Sequence, residues 1–160
     1  AFAKQLGGKT VISIDKNQHR LELSKEFGAD ILINTSIEKD IISKIQNITK
    51  GNGADYAIEV TGDPTVISDG IGFLRIGGSY ILLGAIYPGS KITLDTSTII
   101  TKCLNISGMH NYVPIHLKNA IELVQQSKEK YPYEKIVGPT FEFSKEGLEK
   151  AFNSLNSKTG

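Results

Sequence analysis

KTVISID (9–15), NQHRLELSKEFG (17–28) and ADILIN (29–34) decide the fold. The first and third segments are short, rich in β-branched residues and apolar on both faces, as strands inside a parallel sheet are. The segment between them carries Leu21, Leu23 and Phe27 on one helical face and stops at Gly28, a natural C-terminal cap. A strand, a helix and a strand at this spacing form a unit whose crossover is helical and right-handed.

The same alternation continues along the chain. IEKDIISKIQNIT (37–49) places Ile37, Ile41, Ile42, Ile45 and Ile48 at helical spacing, and GNG (51–53) ends it. DYAIEV (55–60) reads as a third strand. Pro64 suits the first turn of a helix running through Leu74. Gly77 and Gly78 break that helix ahead of a fourth strand, SYILLGA (79–85). A short helix near 95–102 precedes a fifth strand, LNISGMH (104–110). Pro114 opens a long helix over roughly 115–130, expected to bury Leu117, Ala120, Ile121 and Val124. IVGPTFEFS (136–144) reads as extended, and a last helix from Lys145 to Asn156 is expected to bury Leu148, Ala151, Phe152 and Leu155. Together these segments predict an α/β fold, a doubly wound parallel sheet of Rossmann type with helices on both faces.

Composition narrows the function. The 160 residues suit one domain, and 18 basic against 17 acidic side chains leave a formal charge of +1. With no long charge run, neither nucleic acid nor a membrane surface is an expected partner. No stretch approaches the roughly 20 apolar residues of a membrane span, and AFAKQLGG (1–8) does not read as a signal peptide. The single cysteine, Cys103, is expected to be a small buried hydrophobe in a reducing, cytoplasmic setting.

In doubly wound sheets ligands bind beyond the carboxyl ends of the strands. Asp15 stands at such an end and opens onto a helix. A carboxylate there can accept both hydroxyls of an adenosine ribose and would repel a 2′-phosphate, which favours NAD over NADP. Its plainer alternative is a cap for the 17–28 helix. Lys16 and Arg20 lie on the first turn of that helix, where a cation can sit beside the adenosine. A lysine there could also offset the repulsion of a 2′-phosphate, so NADP stays open. The glycine fingerprint of such sites lies about 20 residues before the acid, which puts it around or before residue 1. GNGAD (51–55) and GGSY (77–80) follow helices and precede strands, the wrong side for cradling a pyrophosphate, and read as turns.

VISIDKNQHRLELSKEFGADILIN, GADYAIEVTGDP, LRIGGSYILLGA and LNISGMHNY, in this order and spacing, resemble the coenzyme domain of medium-chain, zinc-type alcohol and polyol dehydrogenases. HNYVPIHL (110–117) and YPYEKIV (131–137) resemble a zinc-dependent alcohol dehydrogenase-like branch of that family. The resemblance covers residues 1–160. It implies that the family's first strand, glycine loop and catalytic zinc domain precede residue 1, and that its final strand follows Gly160. It also implies site roles. Asp15 would bind the adenosine ribose with Arg20 alongside, and Thr61 and Gly62 would wall the adenine and ribose. The backbone of Leu83, Gly84 and Ala85 would run along the nicotinamide ribose. The carbonyls of Leu83 and Met109 and the amide of Asn111 would hold the carboxamide, with His110 close by. Zinc would belong to the parent protein and not to this chain, since His19, His110 and His116 lack metal-site spacing. The parent would be a homo-oligomer acting on a small alcohol or carbonyl compound. Without the first strand, the 9–15 and 55–60 strands would both be open edges.

Other readings compete. Tyr131 and Lys135 have the Tyr-x-x-x-Lys spacing of short-chain dehydrogenases, but Pro132 between them opposes the shared helix which that pair needs. A methyltransferase also places an acid after its second strand. A non-catalytic dinucleotide-sensing module could keep Asp15 without any catalytic partner.

Overall fold

The computed structural model describes residues 1–84 and 89–156. Its elements are α1 (Phe2–Gln5), β1 (Ile12–Asp15), α2 (Gln18–Glu26), β2 (Ile31–Asn34), α3 (Ile41–Ile48), β3 (Ala54–Glu59) and α4 (Thr65–Phe73). Then come β4 (Leu74–Leu82), α5 (Thr96–Thr101), β5 (Asn105–Gly108), α6 (Pro114–Ser127), a 3-10 turn (Tyr133–Ile136) and α7 (Lys145–Asn156).

All strand pairs are parallel. They fall into two sheets, one of β1 and β2 and one in the order β3-β4-β5. Each of β1 and β3 therefore has a single neighbour and an open side. The α/β class read from the alternating pattern holds. The core of the larger sheet is Ile67 and Ile71 of α4 with Leu74 and Tyr80 of β4, and Ile92, Leu94, Leu104 and Ile106 pack around them. Leu74 is only 1% exposed. Tyr80 lies against Gly70, where any side chain would strike the ring hydroxyl. In this apolar setting, burial first and then the charges of Glu59 and Asp69 push the Tyr80 hydroxyl up to about 12.

Several expectations are corrected. Helix α3 begins at Ile41, not Ile37, because the Asp40 carboxylate accepts the Ser43 N–H and sets the start; Ile37 is exposed. Strand β4 begins at Leu74, directly after α4. Gly77, at φ +70°, lies inside it, where the pairing with β3 slips from Ala54–Leu74 to Tyr56–Ser79. Residues 137–144 join no ladder, and Phe143 is 99% exposed. Leu117 and Ile121 of α6 and Leu148 and Phe152 of α7 are exposed, against expectation. Among the described residues, one face of the larger sheet is left exposed at β3. Ala57 and Glu59 turn inward, while Tyr56 and Ile58 are 69% and 56% exposed. Helix α1, four residues long, buries none of its side chains. Cys103 is exposed at φ +51°, in the turn after α5, and is not a core residue.

The end of α6 returns to the smaller sheet. Phe27 stacks on Tyr131 at 6.2 Å and meets Tyr133 edge-on at 5.6 Å. Gln5 donates to the Ser127 hydroxyl at 2.7 Å, and the Lys135 ammonium donates to the Glu26 carboxylate. Tyr131 is thus buried and Lys135 is paired elsewhere, with Pro132 at the start of a separate 3-10 turn. The Tyr-x-x-x-Lys reading is excluded.

Open edges on β1 and β3 offer unpaired backbone groups to other chains. Expressed as these 160 residues alone, the chain is expected to self-associate at micromolar concentration. Sedimentation velocity checks this, and a single monomeric species would contradict it.

Candidate functional site

The parallel ladders bring the strand ends together: Asp15 pairs with Asn34, Glu59 with Leu82 and Leu82 with Gly108. The carboxyl ends of β1, β3, β4 and β5 carry the residues singled out from the sequence.

Asp15 ends β1. Its Oδ1 accepts the Asn17 N–H at 2.9 Å, and its Oδ2 lies 3.9 Å from Arg20 Nη1. The cap of α2 is Asn17, whose side chain accepts the Arg20 N–H at 3.1 Å. Asp15 is thereby released from the capping role that was its plain alternative. Lys16 is exposed beside it. The Asp63 carboxyl is held below its ordinary value first by the Thr65 hydroxyl and N–H, with a smaller pull from Lys16.

Thr61 and Gly62 form the turn after β3, with Gly62 at φ +77°. The Thr61 hydroxyl donates to Glu59 Oε1 at 2.7 Å and so faces Glu59. Leu83 and Gly84 follow β4, and both of their N–H groups donate to the Glu59 carbonyl, at 2.9 and 3.2 Å. A Cβ on Gly84 would stand 2.5 Å from Gly62 N and 2.6 Å from Val60 C, so only glycine lets these strand ends touch. The Met109 N–H donates to the Leu82 carbonyl at 3.0 Å, setting Met109 beside Leu83, one position past the Leu82–Gly108 pair. His110 and Asn111 follow, both exposed, with Asn111 in the left-handed region at φ +59°. Ala85 lies outside the described residues.

One residue escaped the sequence reading. Glu59, 4% exposed, turns into the core side of β3. Its Oε1 accepts from the Thr61 N–H and hydroxyl and from the Gly62 N–H at 2.8 Å; its Oε2 accepts from the Gly84 N–H at 3.2 Å. Burial pushes its carboxyl up, but these hydrogen bonds from Thr61, Gly62 and Gly84 outweigh burial and hold it below its ordinary value. The available signal was an acid at the end of a strand, on its inward-facing register, with Thr and Gly two and three residues on.

As a donor set, the strand ends fit a dinucleotide. Asp15 offers carboxylate oxygen to hydroxyls, Lys16 and Arg20 offer cations, and the β4 and β5 ends offer backbone groups whose direction the ladders fix. A metal ion does not fit the described residues, since no three His, Cys, Asp or Glu side chains converge among them.

Residues 1–126 match the family model described as zinc-binding dehydrogenase. The chain belongs to the zinc-binding dehydrogenase family, with a Rossmann-type fold of the medium-chain alcohol dehydrogenase kind. It is 38% identical over 111 residues to L-threonine 3-dehydrogenase of Bacillus subtilis, covering 68% of this chain and 31% of that protein. To D-arabitol-phosphate dehydrogenase of Enterococcus avium it is 30% identical over 140 residues, 82% of this chain and 39% of that one. The crystal structure of benzyl alcohol dehydrogenase from Acinetobacter calcoaceticus superposes with a TM-score of 0.80 at 28% identity, covering 98% of this chain and 42% of that one. The chain thus spans 31% to 39% of the length of the two sequence relatives.

Two outcomes follow from the packing of these ends. Gly84→Ala is expected to destabilise the protein by about 1–3 kcal/mol, because the backbone it strikes cannot rotate away; denaturant unfolding measures this. Glu59 folds with its carboxyl below the ordinary 4.5, so its contribution is full above that value and is lost as pH falls through the depressed one. The Tm gap between wild type and Glu59→Gln should therefore narrow as pH drops below 4.5, and a gap that stays constant down to unfolding would contradict it.

Proposed function

We propose that residues 1–160 are the NAD-binding part of a zinc-dependent dehydrogenase acting on a small alcohol or its carbonyl product, with the catalytic zinc domain supplied by other residues of the same polypeptide. The observation that carries the reading is Asp15. It ends β1, is not the cap of α2, and has Arg20 beside one oxygen. An acid in this position accepts ribose hydroxyls and disfavours a 2′-phosphate. NAD is therefore the preferred cofactor and NADP the weaker one.

On this reading the chain binds and orients. Arg20 and Lys16 flank the adenosine, and Thr61 and Gly62 border it. Leu83 and Gly84, followed by Ala85, line the nicotinamide ribose. The carbonyls of Leu83 and Met109 and the amide of Asn111 hold the carboxamide, with His110 at the rim. Backbone groups suit this because the ladders have already fixed their direction, so little entropy is lost on binding. When bound, the nicotinamide ring supplies the hydride acceptor or donor. The family's zinc has its ligands outside residues 1–160. The reading includes a cytoplasmic, homo-oligomeric parent that needs neither nucleic acid nor membrane; among the described residues no helix is long and apolar enough to cross a membrane.

The test is a titration of the protein carrying this chain, expressed in full, with NADH and NADPH, read by nicotinamide fluorescence. Wild type should bind NADH more tightly. Asp15→Ala should weaken NADH binding by about tenfold or more, from loss of hydrogen bonds to a charged acceptor, and should narrow the gap to NADPH. No binding of either dinucleotide, or an unchanged preference in Asp15→Ala, would defeat the reading.

A further inference from the structure

We infer that Glu59 is the positioning residue of the cofactor site, a carboxylate that clamps the turn after β3 to the turn after β4 and so sets the surface on which the dinucleotide lies. This rests on the cofactor reading above. Glu59 does not itself border the proposed ligand. It is 4% exposed and lies on the core side of β3.

The case is in the identity of its partners. The side chain takes hydrogen bonds from the Thr61 N–H and hydroxyl, the Gly62 N–H and the Gly84 N–H. The Glu59 carbonyl takes the N–H groups of Leu83 and Gly84. Every one of these donors belongs to the two turns assigned to the cofactor. The Gly84 N–H is shared between the carbonyl and Oε2, so backbone and side chain of one residue grip the same group. A buried carboxylate is costly unless its oxygens are satisfied. Here neutral donors from two turns satisfy it, and the two turns are consequently fixed to each other.

The arrangement also says why an amide is a poor substitute. Each oxygen faces at least one backbone N–H, Thr61 and Gly62 at Oε1 and Gly84 at Oε2, so both oxygens accept. In Glu59→Gln the amide nitrogen meets an N–H whichever way the amide is turned, and at least one turn is let go. In Glu59→Asp the charge remains, but the side chain is one methylene short and cannot hold both turns at the present distances.

The experiment uses the protein carrying this chain, expressed in full, with NADH binding by fluorescence and steady-state kinetics on whichever alcohol it turns over. Glu59→Gln should raise the NADH Kd and the KM for NAD by about tenfold or more, while kcat at saturating NAD stays within about threefold. Ile71→Val, in the core beneath β4, serves as the control: it should lower Tm and leave both cofactor constants unmoved. Should Glu59→Gln be recovered unfolded, Glu59→Asp reads the same constants, with a smaller rise expected. If wild type binds no dinucleotide, the cofactor reading falls and this inference with it. If wild type binds and the Glu59 variants bind equally well, or lose no more affinity than an equally destabilised core variant, the cofactor reading stands and the positioning role is overturned.

Discussion

Everything at the carboxyl end of the larger sheet depends on the contact of Gly84 with the backbone of residues 60–62. That contact is closer than any side chain permits. It brings the end of β4 against the turn after β3, and only at that approach can one buried carboxylate reach donors on both. Parallel pairing then extends the order outward. Because β4 is hydrogen-bonded on both sides, fixing its end also fixes Met109, one residue beyond the last pair with β5. The surface proposed for the cofactor is made largely of backbone set by packing and register, with few side-chain signals to mark it.

That explains which parts of the molecule were legible in the sequence. The five strands and the helices between them could be read because β-branched runs and the glycine stops at Gly28 and Gly51 act locally. Asp15 could be placed at the end of a strand because the strand and the acid that closes it are local features, and β1 does end there. For Glu59 the sequence offered only the Thr61 and Gly62 donors close by; its tie to Gly84, 25 residues away, is not a local feature. The start of β4 was missed because Gly77 reads as a helix breaker, whereas the structure uses its positive φ inside the strand, where the register slips. Local pattern gives the presence of a break and not what surrounds it.

The exposed stripes of α6 and α7 show a different limit. Leu117, Ile121, Leu148 and Phe152 fall at helical spacing, and the helices formed as read. Periodicity establishes that a helix has an apolar face; it does not say what lies against that face. The bare side of β3, with Tyr56 and Ile58, is the strand counterpart. Cys103 failed for a third reason. Cysteine is commonly buried, but here it occupies a turn position at positive φ, where the backbone requirement outranks the preference for the interior.

The return of residues 127–135 to the smaller sheet bears on the order in which the chain assembles. The strands of the larger sheet are near neighbours in sequence and can pair as they emerge. The smaller sheet precedes the larger one in the chain, yet the partners of Gln5, Glu26 and Phe27 are Ser127, Lys135 and the two tyrosines, more than 100 residues later. Closing loops of that length is slow compared with local pairing. The helices that flank the smaller sheet are therefore among the last parts of residues 1–160 to find their partners, although they precede the larger sheet in the chain.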